Sequence, residues 1–157
     1  MTSSRNSRNT LRISIVLPVS RERAWEAIAD WESQGDWMLQ TKVWVTSDIR
    51  EGVGTTIAAF TGPLYKRYPK FSSFGLLDTM TVRSWNPPIA CDVDHTGTVI
   101  QGTGRFELIE IDSSHVRFNW SETIDAPRVL FLLGAPFLWI GVRISLARFR
   151  TLLAKRE

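Results

Sequence analysis

Hydrophobic alternation along the chain begins at Thr10. Leu11, Ile13, Ile15 and Leu17 share one parity against Arg12 and Ser14, which predicts a strand closed by Pro18. Ser20 stands where a helix needs an N-cap, ahead of RERAWEAIAD, and Glu22 in the first turn complements the helix dipole. Ala24, Trp25, Ile28 and Ala29 fall on one face of that helix. A second short helix or turn is predicted over residues 31–37, broken by Gly35.

The period then changes to that of strands. Residues 38–47 and 55–61 flank the hairpin connection DIREGVG, and residues 74–85 stop at Asn86-Pro87-Pro88. Residues 89–96 and 98–111 join through Gly97, and Asp112-Ser113-Ser114 turns the chain into residues 115–124. Strands at such short, turn-bounded intervals predict an antiparallel meander. At the end Leu138, Val142, Leu146, Phe149, Leu152 and Leu153 recur at helical steps, with Pro136 placed in the first turn. The expected class is α+β: a curved antiparallel sheet of about six to seven strands wrapped around a long C-terminal helix, with two short helices after the first strand.

Length and composition narrow the reading. The 157 residues suit one domain, read as residues 10–157 behind a flexible tail at 1–9, and 43% hydrophobic content excludes wholesale disorder. The single Cys91 excludes an intramolecular disulfide framework, and with two histidines neither a metal site nor a cofactor is expected. The first ten residues hold no apolar stretch of the kind a secretory leader needs, and a reduced, cytoplasmic protein is expected. Residues 22–127 carry nine basic and 15 acidic side chains, between basic ends at 1–21 and 128–157. An acidic body with basic ends argues against a nucleic-acid groove and leaves a transient membrane contact open. The most apolar run, residues 129–142, is 14 long, whereas a span needs about 20.

Three stretches carry a likeness: IVLPVSRERAWEAIAD, the EGVGTT turn, and VRSWNPPIACDV followed by GRFELIEIDSSHVRFNW. With the element order, these resemble the START/helix-grip (SRPBCC) superfamily, in particular its polyketide cyclase/dehydrase-like branch. The resemblance covers roughly residues 10–155 and rests on fold signatures, not on a catalytic motif. It implies a cavity for a lipid- or polyketide-like ligand more firmly than a reaction.

Alternation decides which residues would enter such a cavity. Gly104, Phe106 and Leu108 share a parity, the glycines at 102 and 104 leaving room for the helix or a ligand. Val116, Phe118 and Trp120 point the same way, and Glu122 continues the series. Cys91 and Val93 carry His95 inward. Asp78 shares parity with Met80 and Val82, although a bulge before Asn86-Pro87 would reverse that assignment. Glu122 and His95 are the candidate acid–base groups, because burial raises a carboxyl pKa and histidine titrates near neutrality. Trp37, Trp44, Trp85, Trp120 and Trp139 either fill core or pave a pocket, with Val142 and Leu146 lining it from the helix. Tyr65, Tyr68 and Phe71, and the apolar residues 130–133, would lie near its mouth as core, gate or membrane contact. Two functions remain open: cyclase/dehydrase-like chemistry in the cavity, or a non-catalytic lipid or quinone carrier docking on membranes. The oligomeric state is not legible.

Overall fold

The structure, a computed structural model, describes residues 9–64, 66–68, 70 and 74–155. Tyr65, Phe71 and nearly all of the predicted tail lie outside these residues. Asn9, read as the end of that tail, is buried: its Nδ2 donates to the Ala126 carbonyl at 2.7 Å.

Among the described residues, strands β1 (Thr10–Leu17), β2 (Thr41–Val45), β3 (Thr56–Thr61), β4 (Leu76–Asn86), β5 (Ala90–Thr96), β6 (Gln101–Asp112) and β7 (His115–Ile124) form one antiparallel sheet. Its order is β1-β7-β6-β5-β4-β3-β2. The helices are α1 (Arg21–Ala29), α2 (Gln34–Trp37) and α3 (Arg128–Ala154). The curled sheet wraps α3, which makes this the helix-grip α+β fold.

Local chemistry accounts for the element ends. The Ser20 hydroxyl caps α1 by accepting from the Arg23 amide. β2 starts at Thr41 rather than 38, because Met38 closes α2 and Gln40 takes a left-handed φ of 50° at the turn. Ser145 ties α3 to that connection, accepting from the Leu39 amide at 2.9 Å and donating to the Gly141 carbonyl.

Pro136 needs a correction. It does not open the C-terminal helix but lies inside α3, which starts at Arg128 behind Pro127. A proline in a helix interior removes one hydrogen bond. Pro136 is exposed, which leaves solvent to satisfy the freed carbonyl.

Candidate functional site

The concave face of the sheet has two unlike ends. At one, Trp85 packs against Trp25 and Trp31 at ring separations of 4.9 and 6.0 Å, and Cys91 and Phe106 complete a packed aromatic wall. Phe118 meets Phe149 of α3 edge-on at 6.2 Å, and Trp37 lies tilted against the same ring at 4.6 Å. Tryptophans 25, 31, 37 and 85 therefore fill core. A bulge between Val82 and Ser84 makes this possible, because the extra residue re-aims Trp85 inward beside Cys91. It falls beyond Asp78, Met80 and Val82, whose inward parity stands.

The other end, where the chain leaves β7 for α3, is polar. His95 Nδ1 lies 2.8 Å from Asp78 Oδ2, and its Nε2 lies 2.6 Å from Glu122 Oε2. His95 and Glu122 are each about 9% exposed. Asp78 on β4 and His95 on β5 belong to neighbouring strands, but Glu122 is on β7, with β6 between. In the register Gly102 faces His95 and Gly104 faces Glu122. With no side chain at either glycine, the carboxylate crosses β6 to the imidazole. A Cβ at Gly104 would come 2.9 Å from Glu122 Oε1, and one at Gly102 would strike the Thr123 carbonyl. Gly104 therefore clears the path between histidine and glutamate, while Gly102, at a φ of 135°, keeps a side chain off the Thr123 backbone; the sequence had assigned that room to a ligand or the helix.

Burial alone would lower the His95 pKa, but hydrogen bonds and charge from Asp78 and Glu122 outweigh it and lift it to about 10. Burial raises Glu122, partly offset by the His95 hydrogen bond. The two shifts describe one proton between Nε2 and Oε2, held by either partner. In both forms Asp78 stays hydrogen-bonded to Nδ1 on the other side of the ring. Such a group can take a proton from a neighbour and return it without gathering charge. Cys91 is unsuited to nucleophilic work, because burial first and then Asp92 push its thiol up to about 12. Among the described residues no cluster is arranged to hold a metal.

The remaining predicted site residues divide by position. Met80, Val93, Gly104, Phe106 and Trp120 share the concave face with the trio, and Val142 and Leu146 face it from α3. Two tryptophans are not brought there. Trp44 alternates with inward Val43 and lies on the outer side of β2, within a surface groove beside Lys42. Trp139 is 39% exposed on α3, with the Arg143 guanidinium 5.1 Å from its ring centre. Asp78, ranked with the ligand-lining residues by sequence, is the histidine's second partner. The only advance signal was its parity.

No family model matches the sequence, and no curated protein matches it. Solved structures do, and they show the fold alone. One is an aromatase/cyclase, Zhui, from a Streptomyces species, 12% identical over 94% of each chain with a TM-score of 0.70. Another is a START superfamily protein from Mycobacterium smegmatis, 10% identical over 94% of this chain and 95% of that one, at 0.64. The Aha1 dimer from Colwellia psychrerythraea is 14% identical over 92% and 95%, also at 0.64. The chain thus shares its helix-grip fold with an aromatase/cyclase and with a START superfamily protein.

Proposed function

We propose that this protein binds a hydrophobic small molecule, lipid- or polyketide-like, between the concave sheet and the first half of α3. In this reading Asp78, His95 and Glu122 are its acid–base group, and the reaction is cyclase/dehydrase-like. The observation that carries it is the continuous hydrogen-bonded line of buried His95 and Glu122 and half-buried Asp78 on the inner face. The similar aromatase/cyclase supports it by fold.

The chemistry asked of the trio is modest. An aldol dehydration breaks one C–H bond beside a carbonyl and expels the β-hydroxyl as water. Glu122 takes the carbon-bound proton, His95 steadies the charge that forms, and the same proton leaves with the hydroxyl. Confinement against Phe106 and Trp120 supplies proximity.

A cytoplasmic carrier is the second reading. It is favoured by the closure of the trio on itself, since both His95 nitrogens are already engaged.

The test is a paired assay of Glu122→Gln, using N-phenyl-1-naphthylamine affinity for binding and a model poly-β-ketone for turnover. Retained affinity with turnover lost by at least about a hundredfold supports catalysis. Parent protein that binds the probe but turns over no ketone in a broad panel is the carrier. Parent protein that binds no probe overturns both readings.

A further inference from the structure

The outer side of α3 changes character along its length. Val129, Leu133, Phe137, Ile140 and Ile144 succeed one another at three- and four-residue steps and form its crest. All five are exposed, Phe137 by 79% and Val129 by 68%. Past Ile144 the crest becomes Ala147, Thr151 and Ala154, small and uncharged. Cations flank it on both sides. Arg143 and Arg150 border a groove against Ile13 and Ile15 of β1, and Arg148 on the opposite flank reaches the Asp36 carbonyl. From residue 128 to 155 there is no acidic side chain.

We propose that this crest is a docking surface for a membrane carrying anionic lipid, with α3 lying in the plane of the interface. The apolar crest would sit at the level of the acyl chains, and Arg143, Arg150 and Lys155 at that of the lipid phosphates. Three observations favour a lipid surface over other occupants.

A second copy paired crest to crest would bring arginine flanks against arginine flanks with no carboxylate to answer them. Spanning is also disfavoured, although α3 is 27 residues long, holds an 18-residue stretch with a mean hydropathy of 2.0 and passes on length and composition. Its second half buries Leu146, Phe149 and Leu153 against the sheet, and the apolar run before Arg143 is only about 21 Å long, short of a core of about 30 Å. Finally, Gly134, Pro136 and Gly141 leave the first half with weak intrinsic helicity and little packing. A helix so placed is stabilised by an interface that takes up its exposed face.

The surface lies outside the trio, so the proposal does not rest on either reading of the cavity. Co-sedimentation with vesicles of pure phosphatidylcholine, and of the same lipid with about 30% phosphatidylserine, tests it. The parent should partition at least about tenfold more strongly onto the anionic vesicles and be released by 1 M NaCl. Leu133→Ser with Phe137→Ser should lose at least about tenfold on both compositions while keeping its unfolding midpoint and its N-phenyl-1-naphthylamine affinity. Arg143→Gln with Arg150→Gln should lose the anionic preference alone. The proposal is overturned if the parent stays in the supernatant, if neither double variant changes its partition, or if binding withstands the salt wash, which would mean integral insertion. A dimer in light scattering that the serine variant dissolves, without vesicle binding, would assign the crest to a second copy instead.

Discussion

The two ends of the concave face are built from the same sheet and serve opposite ends. At the aromatic end the tryptophans meet one another and the second half of α3, leaving no room for a guest. At the polar end Gly104 opens β6, Asp78, His95 and Glu122 meet across it, and the first half of α3 turns apolar residues to solvent. Packed apolar contacts are concentrated at the first end and hydrogen-bonded titratable groups at the second. Hydrophobicity alone does not separate them, because the first half of α3 is the more apolar half and the less buried.

The sharpest break of this comparison is a truncation at the aromatic end. Phe149→Ala removes the ring on which Trp37 and Phe118 pack, and should cost about 3–5 kcal/mol in urea unfolding. An unchanged midpoint would mean that α3 is not gripped there.

The next effect is a pH dependence at the polar end. The folded His95 pKa of about 10 lies above the ordinary 6.5, so the folded state holds that proton more tightly than the unfolded state. Its contribution is complete below pH 6.5 and is lost as pH rises towards 10. Stability should therefore fall on the alkaline side. Glu122→Gln removes one carboxylate, so His95 should titrate at lower pH in that variant, as read from its imidazole proton resonances.

Gly104→Ala should cost about 1–3 kcal/mol by overpacking, since the added methyl meets both Glu122 and Val93. If the carboxylate is pushed from His95, the histidine pKa should drop as well. A variant with normal stability and an unshifted histidine would mean that the crossing has room for a methyl group.

The smallest effect belongs to the crest. Phe137→Ser should change the unfolding free energy by less than about 0.5 kcal/mol, because the ring is almost wholly exposed. A loss of several times that would place Phe137 in a packed interface and blur the contrast between the halves of α3.

Much of the architecture was legible because local rules decided it. Alternation over Leu11, Ile13, Ile15 and Leu17 and the Ser20 cap placed β1 and α1 within a residue of their ends. Inward parity also named all three members of the trio. Their meeting was not legible, because Glu122 and His95 touch across an intervening strand and only the paired registers bring Gly102 and Gly104 between them. Trp139 misled for a related reason. A helical stripe shows which residues share a face, not how far along the helix the sheet continues to cover it. Pro136 misled because a solvent-facing proline is tolerated in mid-helix where a buried one would not be.

The bulge in β4 has a consequence for how this chain can change over evolutionary time. Because one extra residue is absorbed between Val82 and Ser84, the register of Trp85 is uncoupled from that of Asp78. In a regular strand the two, seven residues apart, would face opposite sides of the sheet. Here the aromatic end can be inherited unaltered while the polar end is rewritten, by substitution at Asp78 and Met80 or by a change of length in the β3–β4 connection. The strand works as two heritable modules joined at a single residue, Arg83.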